Sequence, residues 1–321
     1  MKIVMLDGYT LNPGDISWEP VARLGELVIH DRTPPQHLIE RARDAEILLT
    51  NKVPIDAAAF TQLPRLKLIC VTATGYNIID VDAARSHGVL VANVPEYSTH
   101  SVAQFAFALL LELCNHVGTH DVAVRSGEWI NAIDWTFRKT PLIDLAGRTM
   151  GIVGFGRIGQ KVAQIARGFD MHIIATRSSR AAAADASIRF GDIPEVFAAA
   201  DVVSLHVPQT AQTTSMVNRD LLRSMKRSAF LINTSRGGLI KEQDLADALR
   251  EGVIAGAALD VLCHEPMRSD NPLRHAPNCI ITPHIAWSSM EARQRLMQMT
   301  ADNIAGYVSG SPINIVNPSS R

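Results

Sequence analysis

Three residues of unlike chemistry stand where strand-forming runs end: Arg236 just after LINTS, Glu265 in LDVLCHEP and His284 in IITPH. The carboxyl ends of strands are where open α/β sheets hold ligands. An imidazole exchanges a proton near neutral pH, and a carboxylate on its other ring nitrogen orients it and favours its charged form. A guanidinium fork grips an oxyanion at two points, which an ammonium does not. Each residue alone is unremarkable, since a given one of the 11 histidines is more often structural and a lone arginine after a strand is more often a surface charge. Only elements that bring the three together would make them a site.

Those elements are legible as short apolar runs separated by amphipathic stretches. KIVML, ELVIH, EILLT, KLICVTAT and GVLVANV predict parallel strands with crossover helices, so residues 1 to about 98 form one doubly wound unit. PPQHLIERARDA predicts a helix opening at Pro34 and Pro35. STHSVAQFAFALLLELCNH predicts a buried helix that leaves the first unit and ends near Val117. The stretch VRSGEWINAIDWTFRKTPLIDLAG has no clean period and predicts an exposed arm or loop. A second alternation through RTMGIVGFGRIG, HIIATR, DVVSLHV, AFLINTS, GAALDVL and NCIITPH predicts a second parallel α/β domain. SMEARQRLMQMTADNIAGYVSG then predicts a terminal helix that packs back onto the first unit. The expected fold class is α/β, with two doubly wound parallel-sheet domains of Rossmann or flavodoxin type: residues 1–98 plus 288–321, and residues 99–287.

Composition narrows the partners. The 321 residues, 47% hydrophobic, suffice for two such cores. With 31 basic against 32 acidic residues, the net charge of -1 supplies no field to recruit nucleic acid or an anionic membrane, and neither is expected as a partner. Cys70, Cys114, Cys263 and Cys279 lack CxxC or paired-histidine spacing; they read as buried or free thiols, and no metal is expected. The opening MKIVMLD is too short for a signal peptide or a membrane span and reads as the first strand of a cytoplasmic protein.

The string Gly154-Phe155-Gly156-Arg157-Ile158-Gly159 gains force from its surroundings, a strand run TMGIV before it and a helix pattern QKVAQIARGF after it. Gly154 permits a tight turn, Gly156 lets backbone approach a pyrophosphate, and Gly159 lets helix and strand pack closely. The helix start offers N–H groups and partial positive charge to the phosphates. The expected ligand is a nicotinamide dinucleotide. Arg177 stands 23 residues after Gly154, where an acid that binds the ribose hydroxyls is usual. That acid is missing. Arg177, Ser178, Ser179 and Arg180 instead offer charged and neutral donors to a 2′-phosphate, which predicts NADPH over NADH, with NAD use still open. Charge-assisted bonds of about 1.5 to 3 kcal/mol each correspond to about ten- to hundredfold discrimination per well-placed arginine. Two exposed arginines in a solvated loop are the alternative.

Taken together, GFGRIG, NTSRGGLI, ALDVL with the following EP, and TPHIAW resemble the D-2-hydroxyacid dehydrogenases over nearly the whole chain. The separations, 29 residues from Arg236 to Glu265 and 19 from Glu265 to His284, are similar to those of the family's Arg, Glu and His triad. The resemblance implies an active site in the cleft between the domains. Reducing a 2-keto acid needs a hydride, a proton for the carbonyl oxygen and a clamp for the carboxylate. His284 would give the proton, Glu265 would orient it, and Arg236 would hold the substrate carboxylate and polarise the carbonyl. Pro283 would stiffen the backbone beside the acid. Asp260 resembles the family position near the nicotinamide carboxamide, a buried Asp bonding backbone being the alternative. Thr234 and Ser235, with His206, Val207 and Pro208, resemble positions that line the cofactor. VTATGYNIID resembles the family loop whose backbone N–H groups receive the substrate carboxylate, which points to Thr74, Gly75 and Tyr76. Asn77 and Ile78 depart from the Asp-Asn pair many members carry there.

NKVPI, ATGY and PHIAW look most like the branch of glycerate dehydrogenases and hydroxypyruvate reductases, whose members often also reduce glyoxylate. Lys52 and Trp287 would line its pocket, or serve as a surface charge and as packing. A broader 2-keto acid reductase acting on bulkier acids is the alternative. The same fold also serves dinucleotide-sensing corepressors, which commonly carry a long disordered extension that this chain lacks. Trp129, Trp135 and Phe137 in the arm between Val117 and Ala146 are consistent with a homodimer interface, the family being typically dimeric, or with packing under a loop.

Overall fold

The computed structural model describes residues 1–176 and 187–318. The chain divides into two compact units, Met1–Ser98 with Trp287–Arg321, and Thr99–Ala286. Trp287 belongs with the first unit, one residue earlier than the expected boundary, because its ring packs edge-on against Tyr97 at 6.3 Å between centroids.

In the first unit, β1 (Lys2–Met5), β2 (Glu26–Ile29), β3 (Ile47–Thr50), β4 (Leu68–Val71) and β5 (Leu90–Ala92) form a parallel sheet ordered β2-β1-β3-β4-β5. Strands β3 and β4 are buried at every residue, as unbroken apolar runs covered on both faces require. The helix Met290–Val308 turns Ala292, Leu296, Met297, Ala301 and Ile304 into the core shared with Ile3, Met5, Leu68 and Cys70. The Ser289 hydroxyl caps its start by accepting the Ala292 N–H. The segment from Pro34 is less helical than its pattern predicts: a 3-10 turn, Pro35–His37, precedes only the short helix Leu38–Ala42. The tail protects the sheet edge, with Ile315 bridging Ala92 and the Asn317 side chain bonding the Val91 N–H and the Val89 carbonyl.

This strand order reverses between β1 and β3, the place where open sheets take ligands. Asp7, just past β1, accepts the backbone N–H of Asn51 at 2.8 Å and of Lys52 at 2.6 Å. Burial pushes the Asp7 carboxyl pKa up against the lowering effect of these bonds. The loop that carries Lys52 is thereby fastened at the switch point.

The second unit is a seven-stranded parallel sheet of β6 (Thr149–Val153), β7 (His172–Thr176), β8 (Ile188–Gly191), β9 (Val202–Leu205), β10 (Phe230–Asn233), β11 (Gly256–Leu259) and β12 (Cys279–Ile281). Its order is β12-β11-β10-β9-β6-β7-β8, with the reversal between β6 and β9. On one face the helix Thr99–Asn115 buries Ala103, Phe107, Leu110 and Cys114 beside the helix Arg157–Gly168, over Ile152, Val202 and Ile232. The other face buries Val196, Phe197, Leu245 and Leu249.

The first of these helices stops at Asn115, where His116 turns left-handed at φ 47. Val117–Arg125 is a further helix, supported by an Arg125–Asp121 ion pair one turn apart; it overlaps the expected arm or loop only at Val124 and Arg125, and residues 126–147 contain neither helix nor strand, as expected. Beyond it Trp129, Ile130, Ile133 and Trp135 lie exposed, Trp135 at 87%. Among the described residues no single helix is long and apolar enough to cross a membrane.

Candidate active site

The glycine string folds into a turn only glycine can make. Gly154 sits at φ 100, donates its N–H to Thr176 Oγ1 at 2.8 Å, and lies so near the His206 backbone that a Cβ would come within 2.6 Å of it. At Gly159 a Cβ would overlap the Gly154 carbonyl, so the helix Arg157–Gly168 starts tight against β6. Gly156 is the N-cap and brings no side chain to satisfy the first-turn N–H groups, which leaves an anion-binding start beside the β6/β9 reversal. Arg157 is exposed there and Ile158 half-buried.

The neighbouring loops complete a polar rim. Past β9, His206 pairs its Nε2 with Ser204 Oγ at 2.8 Å, and burial depresses its pKa to about 4, so the ring is neutral at physiological pH. The Val207 carbonyl accepts the Ser235 hydroxyl at 2.6 Å, while Pro208 is exposed. Thr234 is buried and its hydroxyl has no partner among the described residues. An orphaned buried hydroxyl beside a glycine cradle at a helix start fits a dinucleotide. Arg177, Ser178, Ser179 and Arg180 lie outside the described residues. Among those described, no group of three or more His, Cys, Asp or Glu is placed to hold a metal ion.

Three successive strand ends of the same sheet carry Arg236, Glu265 and His284. After β10, Asn233 staples its own turn, accepting the Ser235 N–H at 3.0 Å and donating to the Arg236 carbonyl at 2.9 Å. Arg236 is half-buried, with Nη1 donating to the Ser235 carbonyl at 2.7 Å. After β11 and β12, the structure brings Glu265 Oε2 within 2.6 Å of His284 Nδ1. An ionised carboxylate only accepts, so Nδ1 bears a proton and Nε2 is the nitrogen left for exchange. The His284 and Glu265 side chains are 27% and 34% exposed, open enough for a ligand to reach.

His284 itself is left-handed at φ 56, a conformation that costs a residue with a Cβ about 1–3 kcal/mol. Asp260 offsets that strain. Its carbonyl accepts the His284 N–H at 2.8 Å; its carboxylate takes the Thr282 hydroxyl at 2.7 Å and the N–H groups of Ile285 and Ala286 at 2.9 and 2.8 Å. Asp260 is 1% exposed, and burial pushes its carboxyl pKa up while those three bonds oppose the rise. These three bonds are those of the buried, backbone-bonding alternative for Asp260, and they are also compatible with the cofactor role expected of it, since a carboxylate offers about four acceptor sites. Ser101 Oγ grips the far side of that turn, donating to the Ala286 carbonyl at 2.6 Å.

The remaining candidates belong to the first unit. Lys52 is exposed on the loop Asp7 fastens. The Thr74 hydroxyl donates to the Val94 carbonyl at 3.0 Å, Asn93 donates to the Thr74 carbonyl at 2.8 Å, Gly75 is half-buried and Tyr76 is 38% exposed. Trp287 is half-buried against Tyr97. Asp7, Ser101 and Thr176 escaped the sequence reading. Asp7 left a usable signal, an acid ending a buried apolar strand; two serine or threonine hydroxyls leave none.

Residues 107–286 match the family model described as D-isomer specific 2-hydroxyacid dehydrogenase, NAD binding domain. The chain is 46% identical over 321 residues to a hydroxypyruvate reductase of Blautia hydrogenotrophica, covering 99% of this chain and 100% of that protein. It is 39% identical over 286 residues to a glycerate dehydrogenase of Methylorubrum extorquens, covering 88% of each. Among solved structures it resembles an NADPH-dependent glyoxylate/hydroxypyruvate reductase of Sinorhizobium meliloti in complex with NADP and malonate, at TM-score 0.84 and 28% identity, covering 100% of this chain and 98% of that one. The chain therefore belongs to the D-isomer-specific 2-hydroxyacid dehydrogenases, NAD(P)-dependent oxidoreductases that act on the CH–OH group of 2-hydroxyacids.

Proposed function

We propose that this enzyme reduces hydroxypyruvate, and glyoxylate beside it, to the corresponding 2-hydroxyacid at the expense of NADPH, with Arg236, Glu265 and His284 as its catalytic residues. The observation that carries the reading is the 2.6 Å pair of His284 Nδ1 and Glu265 Oε2 at the strand ends of the dinucleotide-binding sheet. Bound reduced nicotinamide supplies a hydride to the keto carbon. His284 Nε2 gives the carbonyl oxygen its proton, so the products are the 2-hydroxyacid and the oxidised cofactor. Glu265 holds the ring in the tautomer and orientation that point Nε2 outward, and it stabilises the imidazolium before transfer. Arg236 has donors beyond the Nη1 bond to Ser235, enough to grip the substrate carboxylate and draw charge from the reacting carbonyl. Gly154, Gly156 and Gly159, with the start of the helix after them, receive the pyrophosphate, and the Thr234 hydroxyl is the unsatisfied donor that a polar cofactor atom completes.

Hydroxypyruvate rests on the activities named for the relatives, and NADPH on Arg177 and Arg180 standing where an acid would favour NADH. The deciding measurement is kcat/KM for hydroxypyruvate, glyoxylate and bulkier 2-keto acids with each cofactor. Hydroxypyruvate with NADPH is expected to lead, and Arg177→Asp to reverse the cofactor order by about ten- to hundredfold while sparing kcat. A better bulky substrate, or an NADH preference in the unaltered protein, overturns the corresponding half of the reading.

The exposed Trp129, Ile130, Ile133 and Trp135 support a homodimer joined through the arm, since large apolar side chains at this density favour burial against a second copy. Light scattering is expected to return twice the chain mass, and a monomer at micromolar concentration refutes the dimer.

A further inference from the structure

Glu265 stands in an irregular segment, Cys263 to Asp270, that is exposed throughout, yet it must hold a side chain in register with His284. Two features of the second unit fasten that segment. Gly237, immediately after Arg236, is pressed against the Leu262–Cys263 peptide so closely that a Cβ would overlap the Leu262 carbonyl. Glu242, the first residue of the helix Glu242–Arg250, reaches across: its Oε1 accepts the Cys263 N–H at 2.8 Å and its Oε2 accepts Asn271 Nδ2 at 2.9 Å. A single carboxylate therefore ties both ends of the segment, with Glu265 between them. The next link is equally direct. Glu265 Oε1 accepts the Leu262 N–H at 3.0 Å, so two carboxylates hold consecutive backbone N–H groups, and Oε2 of the same Glu265 holds His284.

We propose that Glu242 is a positioning residue of the reaction: by fixing the Leu262–Cys263 peptide it sets where Glu265 presents its carboxylate to His284. The proposal rests on the roles given above to Glu265 and His284. A helix-terminal glutamate has a plainer task, stabilising the helix dipole, which an aspartate at the same position performs as well. Positioning makes a different demand, because shortening the side chain by one methylene withdraws the carboxylate from Cys263 and Asn271 while keeping the charge.

The test is steady-state hydroxypyruvate reduction with NADPH by the full-length protein and by Glu242→Ala, Glu242→Asp, Glu265→Gln and the combined Glu242→Asp, Glu265→Gln variant, each over a range of pH. Both Glu242 variants are expected to lose about tenfold or more in kcat, with KM for the keto acid and the Kd for NADPH within about twofold, because misplacement at a distance harms the chemical step more than binding. The limb on which reduction fails as pH rises is expected to move toward lower pH, as in Glu265→Gln. In the Glu265→Gln background the Glu242→Asp change is expected to cost almost nothing more, the non-additivity of two residues that act through one pair. A wild-type kcat for Glu242→Asp overturns the proposal, as does an equal loss with and without Glu265. If Glu242→Ala does not fold, the aspartate variant carries the same test. An unaltered kcat and pH profile in Glu265→Gln sinks the underlying reading instead, a result distinct from a loss in Glu265→Gln with none at Glu242.

Discussion

His284→Ala is expected to lower kcat/KM for hydroxypyruvate reduction by at least about a hundredfold, with NADPH affinity and melting temperature nearly unchanged. The size of the loss follows from what replaces the imidazole. With Nδ1 committed to Glu265 at 2.6 Å, Nε2 is the nitrogen to which the proposed mechanism gives the proton transfer; without it, the carbonyl oxygen would take its proton from water, a far weaker acid. The pH dependence has a sign. In the proposed mechanism reduction consumes an imidazolium proton, so the unaltered enzyme is expected to lose rate as pH rises and the variant's residual rate to stay flat. Stability should hardly change, because the His284–Glu265 pair is a quarter to a third exposed and such pairs are worth about 0–1 kcal/mol. Alanine also keeps the Cβ, so the left-handed turn and its bonds to Asp260 persist. The measurement is steady-state kinetics from acid to alkaline pH beside a thermal melt. Turnover within about twofold of the unaltered enzyme assigns the proton to another group.

Arg236→Ala is expected to cost about a hundredfold or more in kcat/KM, and here KM should rise along with the fall in kcat. In the role proposed for Arg236 the clamp acts on the substrate carboxylate in ground and transition states alike, whereas polarisation of the carbonyl acts mainly in the latter. Arg236→Lys distinguishes charge from shape. A lysine keeps the positive charge and lacks the planar fork, so it should recover only a small part of the loss. The folded protein should tolerate either change, since the bond from Nη1 to the Ser235 carbonyl lies within a turn that Asn233 already holds. Full activity in Arg236→Lys would show that charge alone suffices and that no two-point grip is made.

The parts of this protein legible in its sequence are those with a period or a local rule. Short apolar runs marked the parallel strands except β8, whose Ile188–Gly191 carries an arginine and a glycine and makes no apolar run, and helical spacing from Met290 onward marked the helix that returns to the first unit. The glycine string marked its turn because only glycine reaches φ 100 at Gly154 and tolerates the contact at Gly159. Arg236, Glu265 and His284 stood out through their types and separations. The helix Val117–Arg125 is not legible in the sequence, because it has little apolar face to supply a period and leaves valines exposed.

Other features came into being only when distant segments met. That Asp260 bonds the His284 turn, that Asp7 fastens the Lys52 loop, and that Glu242 spans the segment around Glu265 are bonds between residues 21 to 45 positions apart in the chain. No periodicity encodes such bonds, because each depends on which carboxylate is carried to which bare N–H group when neighbouring strand ends align. The sequence by itself determined the elements, the cradle and the reactive side chains. Tertiary structure decided which acids hold those segments still, since a backbone N–H left without a partner by its own strand or helix takes the acceptor that folding brings within reach.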